Sequence, residues 1–334
     1  MKKSSSPRRS AEASAEYSVE GSVENSAELS FEPSAELSAE MGAPVSASWT
    51  SVRQGAATRK AGPFRMTGPG RTRTRSERAM AREATPRPTT RLERAQALVY
   101  KAWKSSRDER PVLARKALRL SSACADAHLL LAEDTYDPGE RLACCRRAVK
   151  AGVKALGREL PADGTDHWER LEARPWLRAR AGLARALWEC GRLQEALAEY
   201  RALMARNAGD NLGLRYLVLP LMLEMGLLDE ASALAGRWQG EPSGEWSYNL
   251  ALMEYARAGA SPAARAHLAE GLQASRQVLE YLLGLAQIPS TLPDAIEFGG
   301  EDEAVDYALR ARRAWERWPG ALDWIAEVAL GSAG

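Results

Sequence analysis

Residues 181–205 decide the fold: Ala-Gly-Leu-Ala-Arg-Ala-Leu-Trp-Glu-Cys-Gly-Arg-Leu-Gln-Glu-Ala-Leu-Ala-Glu-Tyr-Arg-Ala-Leu-Met-Ala. Leu177, Ala181, Ala184, Leu187 and Trp188 fall on one face of a helix. Beyond Gly191, Leu193, Ala196, Leu197, Tyr200, Leu203 and Met204 do the same. Gly191 stands where a helix end favours a residue free to take positive φ. Asn207-Ala208-Gly209-Asp210-Asn211 then supplies turn chemistry and a cap for the next helix. A lone hairpin of this size cannot bury its apolar face, so the stretch predicts neighbours of its own kind.

Those neighbours are legible as an internal repeat. Glu195-Ala196 recurs as Glu230-Ala231, and Gly191 as Gly226, each 35 residues on; Gly259 and Ala264 follow 33 residues after Gly226 and Ala231. Thr90 caps a predicted helix with Leu92, Ala95, Val99, Ala102 and Trp103, and Pro111 opens another with Leu113, Ala114, Ala117, Leu118 and Leu120. Further pairs are predicted over 126–133 and 138–152, 212–225 and 228–238, and 246–258 and 261–275. Pro220 is expected to kink or break the 212–225 helix. Residues 156–165 read as a loop, 277–285 as the start of a further element, and 301–318 and 320–330 as closing helices. No stretch alternates with period two for long enough to be a strand.

Composition divides the chain unevenly. Nine of the ten tryptophans lie beyond residue 90. The first ninety residues are rich in Ser, Pro, Gly, Arg and Glu, too poor in large apolar groups to offset the entropy of ordering. The expectation is a disordered tail over 1–90 and a helical domain over 91–330. Within the tail, residues 10–41 repeat Ser-x-Glu-x eight times, and 42–90 form a basic linker. The charge is segregated: −4 over 1–41, +8 over 42–90 and −2 over 91–334, for a total of +2. A near-neutral folded part gives no global electrostatic reason to expect nucleic acid. Translation starting at Met66 or Met80 is a further expectation for the tail, as is its acting as an internal ligand.

Four cysteines in a chain of 334 residues do not make a disulfide framework; they read as small buried hydrophobes in a reducing, cytoplasmic setting. The most apolar run, 214–223, is about half the length a bilayer requires, so no membrane is expected. His128, His167 and His267 are scattered, and adjacent Cys144 and Cys145 point about 100° apart on a helix, which disfavours a metal site. The glycines at 152 and 157 have P-loop spacing, but Arg158 replaces the lysine and no Ser or Thr follows it. Neither a nucleophile–base pair nor a cofactor loop can be named, so the expectation is no enzyme and no cofactor. Glu301, Asp302 and Glu303 read as acids favouring a helix N-terminus.

Paired helices at a period near 34 are the signature of tetratricopeptide (TPR) repeats, and the Ala184/Gly191/Ala196/Tyr200 set resembles that consensus. The predicted fold is therefore all-α, a TPR-like α-solenoid of helical hairpins. Several phrases resemble one family more specifically: 173–188 (Ala-Arg-Pro-Trp-Leu-Arg onward), Asp210-Asn-Leu-Gly-Leu-Arg-Tyr-Leu, Tyr281-Leu-Leu-Gly, Gly299-Gly-Glu-Asp-Glu-Ala-Val-Asp-Tyr-Ala and 315–324. They are similar, over roughly 92–325, to the TPR-like proteins related to the "suppression of tumorigenicity" proteins, including their soluble bacterial and plant relatives. The resemblance implies a helical-repeat protein with no assigned catalytic residues. Animal members carry membrane segments, and no counterpart is evident here.

TPR arrays present the first helix of each pair along a concave groove that takes a peptide or partner helix. That face maps onto Arg178, Arg185, Arg215, Tyr216 and Asn249 as candidate partner-binding residues. The arginines suit a carboxylate or acidic peptide, and Asn249 suits backbone amides; Arg215 and Asn249 equally fit a role in satisfying buried polar groups between helices. The expected function is a non-catalytic protein-interaction scaffold. The alternative is nucleic-acid or acidic-partner binding through the basic 42–119 region, including Lys101, Lys104, Arg107, Arg115, Lys116 and Arg119.

Overall fold

The computed structural model describes residues 90–159, 167–289 and 299–331, all within a unit spanning Ser48–Gly334. The expected tail and its Ser-x-Glu-x repeats lie outside the described residues, apart from Thr90. Among the described residues every regular element is helical, and there is no strand. In chain order the helices are α1 (Arg91–Ala102), α2 (Glu109–Leu120), α3 (Ala125–Asp134), α4 (Pro138–Leu156), α5 (Arg174–Glu189), α6 (Leu193–Met204) and α7 (Arg215–Met225). They continue as α8 (Leu228–Arg237), α9 (Gly244–Ala258), α10 (Pro262–Ala274), α11 (Gln277–Leu283), α12 (Glu301–Arg317) and α13 (Ala321–Gly331). A 3₁₀ turn, Gly157–Glu159, follows α4.

Local chemistry places the ends. Thr90 and Glu93 form a reciprocal capping box at α1, and Ser243 and Ser261 accept from the amides of Trp246 and Ala264 at α9 and α10. Pro138 and Pro262 occupy the first turns of α4 and α10, where a missing amide proton costs nothing. Between α5 and α6 Gly191 takes φ +75°, as the opening hairpin requires. The predicted start of α7 moves: the helix begins at Arg215 rather than 212, because buried Asp210 accepts the amides of Leu214 (2.6 Å) and Arg215 (3.2 Å). Of the kink or break expected at Pro220, the break is absent: α7 continues through it.

Consecutive helices pack as antiparallel pairs, α1 with α2, α3 with α4, α5 with α6, α7 with α8 and α9 with α10. The first members also touch: α1 lies against α3, α3 against α5, and α7 against α9. Between α3, α4 and α5 the seam is built of Ala125, Ala148, Ala151 and Ala179. Small side chains there let the helices approach closely, and a Cβ on Gly152 would stand 2.9 Å from Trp176. A small apolar cluster joins α1 to α3, and a large one runs from α3 and α4 to α13, with Trp246, Trp315, Tyr200, Tyr248 and Tyr307 fully buried. The last two helices leave the sequential pattern, and α13 reaches back to α9 and α11. α12 packs on α7 and α9, the first helices of two earlier pairs, as well as on α11 and α13.

Candidate functional site

The face built by the first helices divides into two polar clusters and a clip. At the N-terminal end Asp126 of α3 is fully buried, and its carboxylate accepts from Gln96 of α1 (2.7 Å) and from Arg178 of α5 (Nε, 2.9 Å). Burial works against the Arg178 charge, but Asp126 outweighs it and raises the guanidinium above its ordinary range. The same guanidinium stacks over Trp103, just beyond α1, at 5.2 Å, and Tyr100, half exposed, packs beside Trp103 at 5.5 Å. Three first helices are thereby tied through one buried acid, with two aromatic rings at the rim.

The second cluster belongs to α12. Arg310, only 8% exposed, donates to Asp306 (2.7 Å) on its own helix, to Glu245 of α9 and to the backbone carbonyl of Tyr216 in α7 (2.7 Å). The last of these bonds follows from the sequence of α7. Pro220 has no amide proton to offer the carbonyl four residues before it, which is that of Tyr216. Arg310 fills the place of the missing donor. Asp306 also meets Arg185 of α5 at 3.6 Å, and Arg185 pairs with Glu189 at 3.3 Å. Burial alone would raise Asp306, but Arg310 and Arg185 hold it below the usual carboxylate range. For Glu245 burial prevails over Arg310, and the carboxyl is pushed up to about 7. Tyr307 donates to Asn249 Oδ1 of α9 (3.1 Å) and accepts from Trp315 Nε1 (3.1 Å). Glu303 accepts the amides of Glu245 (3.1 Å) and Gly299 (2.6 Å), so it ties α9 to the turn before α12, besides sitting in a first turn.

Arg215 and Tyr216 form the clip. The Arg215 guanidinium bridges Asp210 (2.8 Å) and Glu241 (3.0 Å) and lies between the rings of Tyr216 (4.3 Å) and Trp238 (4.5 Å). The Tyr216 hydroxyl donates to Glu241 at 2.6 Å. Asp210 itself adopts φ +47°, a left-handed backbone in a buried acid whose pKa burial raises despite Arg215.

The five residues named from the sequence therefore do not form one open groove. Arg178 sits in the α1–α3–α5 cluster, Arg185 and Asn249 face α12, and Arg215 and Tyr216 fasten the α6–α7 and α8–α9 connections around α7. The groove expected over α7 and α9 holds a helix of the chain itself. Sequence reasoning missed Asp126, Glu245, Asp306, Tyr307 and Arg310. A signal was present in α12, where Glu303, Tyr307, Arg310 and Ala314 follow one another at helical spacing and all are buried, so two charged residues lie in the apolar stripe. Among the described residues no group of three or more His, Cys, Asp or Glu is placed to hold a metal ion, and the four cysteines are unpaired thiols. Burial pushes Cys124 up to about 11 and Cys145 to about 12, well away from thiolate chemistry. No described helix is long and apolar enough to cross a membrane. No family model, curated protein or solved structure matches the chain.

Proposed function

We propose that this protein is a non-catalytic interaction scaffold, a TPR-like α-solenoid whose first-helix face binds a partner helix or extended peptide in the cytoplasm. The observation that carries the reading is α12. The face of α7 and α9 accepts an amphipathic helix through a buried arginine fork, an ion pair to α5 and a tyrosine–asparagine bond. A face that seats one helix has the chemistry to seat another. The stretch over α1, α3 and α5, with Tyr100 and Trp103 at its rim and Arg178 beneath, lies beside it and is where a second chain would dock. The 33–35-residue recurrence of Gly and Glu-Ala and the resemblance to the TPR-like relatives of the "suppression of tumorigenicity" proteins support the same reading.

Charge reversal at Arg178 or Arg185 would be an ambiguous test, because Arg178 pairs with buried Asp126 and Arg185 with the partly buried Asp306. A photo-crosslinking residue at position 100, introduced into the full chain in its own cells, avoids that difficulty. The expected result is a defined set of crosslinked partner peptides from position 100 and not from position 153, which is exposed on α4. Identical sets from both positions, or none from position 100, would refute the assignment.

A further inference from the structure

Every second helix from α6 onward to α10 mixes its charges. α6 carries Glu195 and Glu199 beside Arg201, α8 carries Asp229 and Glu230 beside Arg237, and α10 carries Glu270 beside Arg265. The first two second helices carry their only carboxylates, Glu109 and Glu140, in the first turn. From Leu113 to Leu120 in α2, and from Arg141 through α4 to Arg158, there are nine Lys or Arg residues and no carboxylate. The near neutrality of the helical domain conceals this local excess, which the usual i,i+4 acidic partners do nothing to offset.

The fold brings the C-terminal ends of these two rows together. Lys116, Arg119, Arg146, Lys150 and Lys154 are all exposed, and among the described residues none of them forms an ion pair. Arg146, Lys150 and Lys154 stand at successive i,i+4 positions, so the cations recur about every 6 Å along α4. Lys154 Nζ donates to Ser122 Oγ at 3.5 Å, and Ser122 lies just beyond the end of α2, three residues after Arg119. That bond joins the C-terminal ends of the two rows. Beside the cations α2 and α4 carry Val112, Leu120 and Val153 as exposed large apolar groups, with no aromatic ring among them, which is too little to seat in a lipid interface.

We infer that the outer face of α2 and α4 binds the phosphodiester backbone of nucleic acid. A repeated anion is the ligand that a row of unpaired cations fits, and binding of this kind reads charge rather than sequence. This surface is distinct from the first-helix face, and the inference stands whether or not that face takes a partner. It adds α4 to the basic region expected over 42–119, of which the residues before Thr90 lie outside the described residues.

The test is fluorescence anisotropy with the full chain and two labelled probes, a single-stranded RNA of about 20 nucleotides and a DNA duplex of about 20 base pairs. Four phosphate contacts contribute a slope of about −3 in log K against log salt, equivalent to roughly a 50- to 150-fold loss between about 50 and 200 mM salt. The variant K116E/R119E/K150E/K154E is expected to shallow the slope by about 3 and to weaken binding by at least tenfold, with an unchanged thermal melt. If that variant melts early, K116Q/R119Q/K150Q/K154Q reads the same change without added negative charge. A stronger effect with RNA or with the duplex identifies the natural form. Unaltered affinity and slope in the variants would overturn the inference. So would a loss confined to phosphatidylserine vesicles or a poly-glutamate peptide while both nucleic-acid probes still bind.

Discussion

Replacing Arg310 by Met keeps most of the side-chain volume and removes the fork that joins α12 to α7 and α9. Three acceptors lose their donor together: Asp306, Glu245 and the Tyr216 carbonyl. Removing one partner of a buried ion pair costs about 3–5 kcal/mol, and an orphaned buried carbonyl about 1–3 kcal/mol. The two figures overlap, since one guanidinium serves both. Glu245, already pushed up to about 7, would also take a proton instead of remaining a bare charge, which limits the loss. The expected destabilisation at neutral pH is therefore about 3–5 kcal/mol, a large part of the 5–15 kcal/mol typical of a folded domain. Arg310→Lys keeps the charge but cannot reach three acceptors at once, and should lose about half as much. Urea unfolding followed by tryptophan fluorescence measures both, and hydrogen exchange should show α12 opening before α5 and α6. A loss below about 1 kcal/mol for Arg310→Met, or unchanged protection in α12, would refute the reasoning.

Pro220→Ala restores the amide that the Tyr216 carbonyl lacks, and should stabilise the chain by about 1–3 kcal/mol. In that background Arg310→Met should cost about 1 kcal/mol less than in the native chain, a coupling that a double-mutant cycle in urea reads directly. Because the folded state holds a proton on Glu245 that the unfolded chain has released, this group's contribution is complete below about pH 4.5 and is lost as pH rises towards 7. Glu245→Gln should flatten that part of a stability profile measured from pH 5 to 8. Asp306 acts in the opposite sense and at lower pH, its contribution being lost only on acidification below its ordinary range. The Tyr200 hydroxyl is buried without a hydrogen-bond partner, so Tyr200→Phe should leave the thermal midpoint unchanged or raise it slightly.

Periodicity and end chemistry carried the helices. Gly191, Thr90, Pro138, Ser261 and Pro262 act through contacts within a few residues, and the structure places helix ends beside each of them. Boundaries slipped where the deciding partner was not adjacent, as at Asp210, which caps α7 from four and five residues back. Pro220 shows the limit more sharply. Its lack of an amide proton is legible, but the donor that compensates is Arg310, ninety-four residues from Tyr216, and no local rule connects them. The candidate residues failed as a single groove for the same reason. Arg185 and Asn249 lie on a first-helix face, as expected, yet which chain covers that face depends on where α12 packs. The α2 part of the cationic face, with Arg115, Lys116 and Arg119, was legible in the sequence, but its counterpart on α4 was hidden by summing charge over the whole domain.

The position of α12 has a consequence during synthesis. The pairs from α1 to α10 can close as they leave the ribosome, since each helix packs on one made just before it. The α7–α9 face cannot: its covering helix begins at Glu301 and arrives after both pairs that it must cross are complete. For that interval the Tyr216 carbonyl and the Glu245 carboxyl face outwards beside apolar surface, and the nascent chain displays a ready seat for any amphipathic helix nearby. Binding in trans at that moment would compete with maturation itself, so the time taken to translate the connection before α12 sets how long the nascent chain can capture a stranger.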